Sequence, residues 1–308
     1  MTPTRQGSIH LFRFAGIDLY LHWSWFLIAI YGISSRAPRY SSMVWPVLEY
    51  LALFAIVLLH EFGHALACRQ VGGKADQIVL WPLGGVAYVS PPPRAGATLW
   101  SIAAGPLVNV ALAPLLIGLW VMTATMGWAE SMPNAYTFVK TLCIINGFLL
   151  VFNLLPIYPL DGGQIVQSLL WFLLGRARSL MVTTVIGFIG VAGLIALAVL
   201  TRDMWLGVLC VFILTNCWRG LMQARVLARI AKLPRRAGFA CPECKQPPII
   251  GPLWRCDQCH QPFDTFETQA ACPHCGAGFA MTRCPECGSS RSFNEWRVYG
   301  PEPVRPRW

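Results

Sequence analysis

Residues 46–68 read PVLEYLALFAIVLLHEFGHALAC, an apolar run of membrane-spanning length that contains the pattern His-Glu-x-x-His. Ionisable side chains are costly inside a bilayer, so their presence there indicates a function. On a helix, His60 and His64 share one face and can hold one zinc ion, while Glu61 can take a proton from a water at the metal. The simpler alternative is a pair of interfacial histidines packed in a helix bundle.

A second stretch, residues 153–163, reads NLLPIYPLDGG and offers a third ligand for the same ion. Asp161 is the only aspartate between Asp76 and Asp203. A carboxylate at the end of an apolar span is costly unless it is paired or bound to a metal, and a hydrolytic zinc site needs three protein ligands and an open position. The alternative is that Asp161 caps the helix that begins at Gly162.

The chain closely resembles the site-two protease family of intramembrane zinc metalloproteases. Three motifs carry the resemblance in the family's order: HEFGH at 60–64, GPLVN at 105–109, and NLLP with LDG within 153–162. It covers residues 17 to about 175. It implies hydrolysis of peptide bonds in or near the transmembrane segments of membrane-protein substrates.

The resemblance also implies a role for six residues around one catalytic zinc ion. These are His60, His64 and Asp161 as zinc ligands, Glu61 as general base and acid, and Asn109 and Asn153 as groups that hold the substrate or the developing oxyanion. For Asn146, which also lies in an apolar span, hydrogen bonding between helices is the simpler interpretation. His22 is interpreted as an interfacial side chain, although a position near the metal stays open.

The composition is that of a membrane protein. The chain has 308 residues, of which 55% are hydrophobic and 12% charged, and its mean hydropathy is +0.51. These values exclude an ordinary soluble globule and predict a polytopic membrane protein. With the motifs described below, the expected fold class is a mainly α, polytopic membrane helix bundle with a short β-hairpin insertion and a small zinc-ribbon tail. About six spans are expected, near residues 17–35, 46–68, 98–122, 136–155, 180–200 and 204–218.

Residues 76–90, DQIVLWPLGGVAYVS, are too short and too broken to span a bilayer, and they predict the hairpin, with strands at 78–81 and 86–89. A free strand edge near the metal can take up an unwound substrate by strand addition, whereas the alternative is a surface hairpin without substrate contact.

Residues 164–175 predict a short amphipathic helix, and the basic residues 219–236 predict a helix against the lipid surface.

Lysine and arginine gather on one side of the predicted spans. They precede the first span, separate the second from the third and the fourth from the fifth, and follow the sixth. This bias predicts that both termini lie in the cytosol and that the basic segments contact anionic lipid. The expected location of this multi-pass protein is the cell membrane of a prokaryote. Arg36 and Arg39 run against the pattern.

Residues 1–232 are expected to form the membrane metalloprotease domain, and residues 233–308 a cytosolic tail. Eight of the twelve cysteines form four Cys-x-x-Cys pairs in this tail, which therefore resembles a double zinc ribbon with two closed, structural four-cysteine zinc sites. Neighbouring pairs are the favoured grouping, with a cross-braced grouping left open. The favoured sites are Cys241, Cys244, Cys256 and Cys259, and Cys272, Cys275, Cys284 and Cys287. Substitution of a cysteine ligand by His260 or His274 is the less favoured alternative.

Three zinc ions per chain are therefore expected, one catalytic and two structural. Residues 233–308 hold nine lysines and arginines against seven acidic residues, so the tail is close to neutral. Because phosphate binding needs a basic face, no nucleic acid is expected, and a protein partner of the tail is favoured. The alternative for the whole chain is a catalytically inactive membrane scaffold that uses its zinc ribbons to bind protein.

Overall fold

The computed structural model describes residues 7–81 and 84–298. Within these ranges the protein is a mainly helical bundle with a small sheet and a cysteine-rich tail, which confirms the predicted fold class. Residues 82 and 83 of the predicted hairpin turn lie outside the described residues, as do residues 1–6 and 299–308 of the two expected domains.

Five helices of the described ranges are long and apolar enough to cross a membrane, as expected for an integral membrane protein. A short helix α4, Trp128–Ser131, lies between the second and the third of them. Pro133 begins the third, because the first turn of a helix does not need its missing N–H. The five are α2 Val44–Gln70, α3 Ala95–Thr125, α5 Pro133–Asn153, α6 Asp161–Thr201 and α7 Met204–Ala231.

The first predicted span, residues 17–35, is wrong, so the described ranges contain five candidate spans instead of six. Ile17–His22 forms strand β2, and helix α1, Ser24–Arg36, has only 13 residues. Such a helix is about 20 Å long, whereas the hydrocarbon core of a bilayer is about 30 Å thick. The alternation in IDLYLH is the strand signal, which the overall apolarity of the segment concealed.

The predicted hairpin exists, but it is half of a four-stranded sheet with the order β1–β2–β3–β4. Strands β1 and β2 are antiparallel around a turn in which Ala15 and Gly16 have positive φ. Strands β2 and β3 are parallel, and β3 and β4 are antiparallel, so β1 and β4 form the edges. The other strands are β1 Ser8–Phe14, β3 Lys74–Trp81 and β4 Gly84–Ser90.

One face of the sheet packs on the second half of α2. Side chains from β2 and β3 join side chains of α2 in a single apolar core, which sets the sheet beside the His-Glu-x-x-His turn. Its members include Ile17, Leu19, Ile78 and Leu80 from the sheet and Phe62, Ala65 and Cys68 from α2.

Each of the last two membrane helices joins two predicted elements. Helix α6 consists of two helices joined at Gly175, whose φ of 77° and ψ of 167° interrupt the helical path. The predicted amphipathic helix 164–175 and the predicted span 180–200 are its two parts. Helix α7 unites the predicted span 204–218 with much of the basic segment and ends at Ala231.

Arg36, one of the two arginines that run against the charge pattern, is paired. Its guanidinium contacts the carboxylate of Glu49 in α2, whose side chain is only 2% exposed. The Tyr40 hydroxyl donates a hydrogen bond to the same carboxylate at 2.8 Å. Burial and the neighbouring Glu49 raise the pKa of Tyr40 to about 12, so this donor keeps its proton at physiological pH. The cluster ties α1 to α2.

Candidate metal centres

Three predicted ligands meet at one point between α2 and the start of α6. Asp161 Oδ2 lies 3.0 Å from His60 Nε2 and 3.3 Å from His64 Nε2, and the two nitrogens are 3.1 Å apart. Ligand atoms arranged tetrahedrally at zinc bond lengths are about 3.3–3.4 Å apart, so the donor set fits this ion. Both histidines are buried.

Each imidazole is held through its other nitrogen. His60 Nδ1 donates to Asn109 Oδ1 at 2.7 Å, and His64 Nδ1 donates to the Ser101 carbonyl at 2.8 Å. Protons at both Nδ1 atoms leave the Nε2 lone pairs available to bind a metal, as is usual for histidine ligands.

Asn109 is itself held by Asn146 of α5. Asn109 Nδ2 donates to Asn146 Oδ1 at 2.8 Å, and Asn146 Nδ2 donates to the Asn109 carbonyl at 3.0 Å. Asn146 therefore forms hydrogen bonds between helices, which is the interpretation that its sequence position favoured. What sequence reasoning missed is that this bond reaches His60 through Asn109, and no local pattern marks such a chain.

Two glycines allow α2 and α3 to approach closely at this point. A Cβ at Gly105 would overlap the His64 imidazole and would lie 2.8 Å from His60 Nε2. A Cβ at Gly63 would lie 2.7 Å from the Ala104 carbonyl oxygen. The glycines of the HEFGH and GPLVN motifs thus leave room for the imidazoles and for the helix contact.

Asp161 is the first residue of α6, and Leu160, not Asp161, precedes the helix as its cap residue. The Asp161 carboxylate is directed at the two imidazoles. The two glycines that follow it allow a close approach of backbones: a Cβ at Gly162 would overlap the Leu154 carbonyl, and a Cβ at Gly163 would lie 2.5 Å from the Tyr158 nitrogen. The start of α6 is therefore pressed against the segment before it.

The remaining predicted residues lie in different settings. Glu61 is buried in α2 directly after His60. Asn153 is the last residue of α5 and is half-buried, and the described residues offer its side chain no hydrogen bond. His22 contacts Ser24 and stacks on Trp81 with ring centroids 4.1 Å apart, so it belongs to the sheet and is not among the three converging ligands.

The tail cysteines also meet in two groups of four, but the predicted grouping of neighbouring pairs is wrong. The groups are nested, with one ribbon inserted within the other. Paired sulfurs are 3.6–3.8 Å apart, and four thiolates around zinc are expected at about 3.8 Å from one another. The outer group is Cys241, Cys244, Cys284 and Cys287, and the inner group is Cys256, Cys259, Cys272 and Cys275.

An aromatic core explains the nesting. Phe266, which lies between the second and third cysteine pairs, packs on Phe293 and Trp296 at centroid distances of 5.7 and 5.1 Å. These rings share a buried cluster with Cys241 and Cys284, which draws the first and last pairs together. The ribbons carry two short hairpins, β5 Trp254–Arg255 with β6 Pro262–Phe263, and β7 Met281–Arg283 with β8 Ser290–Ser292.

Two arginines at the start of the tail form ion pairs with its cysteine-rich part. Arg235 contacts Glu286 at 2.7 Å, and Arg236 contacts Asp264 at 2.8 Å. Burial alone would raise the pKa of the Asp264 carboxyl, but the Gly251 N–H and the Arg236 guanidinium outweigh it and hold that pKa below its usual range. Asp264 is therefore ionised at neutral pH.

Several known proteins are similar to this chain. Residues 49–137 and 121–197 match peptidase family M50. A protein of Methanocaldococcus jannaschii named as a zinc metalloprotease is 35% identical over 182 residues, which are 58% of this chain and 50% of that protein. Stage IV sporulation protein FB of Bacillus subtilis is 33% identical over 121 residues, 38% of each chain. The chain thus spans about half the length or less of these curated relatives.

The fold also has a solved counterpart. The structure of the site-2 protease from Methanocaldococcus jannaschii matches with a TM-score of 0.50 and 25% sequence identity, over 70% of this chain and 95% of that one. Both the sequence and the fold therefore lead to one family.

Proposed function

The chain belongs to peptidase family M50, and from that premise we propose that it is an intramembrane zinc endopeptidase that hydrolyses peptide bonds in or near the transmembrane segments of membrane proteins. The observation that carries the proposal is the convergence of His60, His64 and Asp161, from two distant stretches of sequence, on one largely buried point. An inactive membrane scaffold would have no physical need for a buried set of ligands with this geometry.

The residues divide the chemistry between them. His60, His64 and Asp161 would hold the zinc ion and leave a position open. A zinc ion bound there would supply Lewis-acid chemistry: it would polarise a peptide carbonyl and lower the pKa of a water toward neutral pH. Glu61 accepts that proton on its carboxylate and then passes it to the leaving amine, so it acts first as general base and then as general acid.

The two asparagines have different proposed roles. Both ends of the Asn109 amide are engaged, with His60 and with Asn146, which supports a role in orienting the His60 imidazole. Asn153 ends α5 with its amide unengaged by the described residues, which supports the role of holding the substrate or the developing oxyanion.

The substrate backbone is proposed to bind along strand β4. A peptide must leave helical hydrogen bonding before its carbonyl can be attacked, and strand addition satisfies the freed backbone groups. Among the described strands β4 pairs with β3 and forms one edge of the sheet, and that sheet packs on α2 beside the ligands.

The remaining parts of the proposal concern placement and stoichiometry. Both termini are proposed to face the cytosol of a prokaryotic cell, and the pairing of Arg36 with Glu49 removes one exception to the charge bias.

Residues 1–232 and 233–308 are proposed as separate domains. The nested cysteine groups would each hold one structural zinc ion, giving three per chain, and the tail would bind a protein partner.

The test is Glu61→Gln, which keeps the size of the side chain and removes its basicity. Membranes with the wild-type chain are expected to release fragments of transmembrane proteins that the variant does not release, as measured by mass spectrometry. The variant is expected to retain the zinc content of the wild type and to co-purify with uncut substrate. Fragment release by Glu61→Gln would refute the assigned base, and absence of any fragment from the wild type would favour the inactive scaffold.

A further inference from the structure

We propose that Cys217 of α7 and Gly190 of α6 are positioning residues, which hold the segment before Asp161 and thereby set the carboxylate at the metal. We call residues 154–160 the ligand loop, because they connect α5 to Asp161. This inference rests on the proposed function, since it takes Asp161 as a zinc ligand.

The ligand loop is held from one side by a hydrogen bond from a buried thiol. Cys217 Sγ donates to the Tyr158 carbonyl at 2.9 Å, and the Cys217 side chain is fully buried. The surroundings are apolar and include Ile157 and Ile213, so no other described group replaces this donor. A carbonyl that loses its donor in apolar surroundings is destabilised, so loss of the thiol favours movement of the loop.

Glycines of α6 allow the loop to lie against the helix. A Cβ at Gly190 would lie 2.5 Å from Cγ1 of Ile157, and a Cβ at Gly187 would lie 3.2 Å from the Tyr158 carbonyl oxygen. By contrast, Gly193 of the same helix has no described atom within 4 Å of its Cβ position. Among these three glycines, close approach is therefore confined to the two that face the ligand loop, Gly187 and Gly190.

Movement of Ile157 or Tyr158 is passed on to Asp161 because the intervening backbone is itself bonded. Leu160 N donates to the Ile157 carbonyl at 2.8 Å, and Gln164 Nε2 donates to the Pro159 carbonyl at 2.9 Å. The ligand loop and the first turn of α6 thus form one bonded unit. Metal ligands tolerate shifts of only about 0.2 Å, so a small displacement of this unit weakens binding.

The test measures zinc affinity at the membrane site, which a merely structural cysteine would not affect. Zinc is removed from the detergent-solubilised full-length chain with a chelator, and Asp161→Ala identifies the membrane-site ion as the one that this variant lacks. Cys217→Ala is expected to lower the affinity of the membrane site for zinc at least about tenfold. Cys210→Ala is the matched control, because Cys210 lies in the same apolar cluster of α7 without a bond to the ligand loop.

Two further variants separate positioning from loss of fold. Cys217→Ser keeps a hydrogen-bond donor and should retain most of the zinc affinity that Cys217→Ala loses. Gly190→Ala should lower the zinc affinity of the membrane site, whereas Gly193→Ala should not change it. Equal effects of Cys217→Ala and Cys210→Ala, or unchanged affinity in both Cys217→Ala and Gly190→Ala, would overturn the inference. Retention of every zinc ion by Asp161→Ala would instead overturn the proposed function, so the two failures are distinguishable.

Discussion

Replacing Gly105 with alanine would put a methyl group where the two imidazoles that we propose as zinc ligands meet. The added Cβ would overlap the His64 ring and would lie 2.8 Å from His60 Nε2. Since ordinary contacts between such atoms are about 3.5 Å, the His60 ring would have to move by about 0.7 Å. This exceeds the roughly 0.2 Å that metal coordination tolerates.

We therefore expect Gly105→Ala to weaken zinc binding at the membrane site at least about 100-fold, which corresponds to about 2.8 kcal/mol. The fold should survive, because alanine favours helix over glycine by about 1 kcal/mol and overpacking costs about 1–3 kcal/mol. The assay is zinc per chain by elemental analysis, with thermal unfolding in detergent and fragment release from membranes measured in parallel.

Gly118→Ala is the matched control, because Gly118 lies in the same helix and has no described atom within 4 Å of its Cβ position. It should keep the zinc content, the unfolding temperature and the activity of the wild type. A Gly105→Ala variant that binds zinc as tightly as the wild type would refute the reasoning that α3 leaves its space at this position for the metal ligands.

Three further predictions concern other parts of the molecule. Asn146→Ala removes the oxygen that accepts a hydrogen bond from Asn109, and it should lower the zinc affinity of the membrane site about tenfold in chelator competition. An unchanged affinity would show that Asn146 does not help to hold His60. The double variant Cys241→Ser/Cys256→Ser disrupts both cysteine groups and should lose both tail zinc ions, as counted by elemental analysis. The double variant Cys241→Ser/Cys284→Ser disrupts one group and should lose only one ion. If neighbouring pairs formed the sites, the two variants would give the opposite counts. Glu49→Gln removes the negative charge that neutralises Arg36 and should destabilise the fold by about 2 kcal/mol in thermal unfolding. This is less than for a fully buried pair, because Arg36 is 37% exposed, and an unchanged transition would contradict the prediction.

The local parts of the molecule could be predicted because helices and strands have fixed periods. Residues four positions apart share a helix face, so the pairing of His60 with His64 followed from spacing alone. The alternation around residues 78–89 likewise predicted a hairpin. The error over residues 17–35 has a physical cause too, since an apolar strand that packs on a helix and an apolar helix in lipid bury similar residues.

Long-range partners could not be predicted with the same security. The four cysteine pairs are chemically equivalent, so spacing favoured neighbours, whereas Phe266, packed on Phe293 and Trp296, draws the first pair to the last. The Asn146–Asn109–His60 chain of hydrogen bonds has no sequence signature, because each residue lies on a different helix.

The sequence by itself determined which side chains are candidates for the proposed chemistry, since ligand type and the spacing of His60 and His64 are properties of the local chain. Only the tertiary structure decided that Asp161 reaches these imidazoles and that Gly105 leaves room between them. The reason is that contacts between distant segments depend on how whole helices pack, and side-chain volumes and backbone approach decide that packing together.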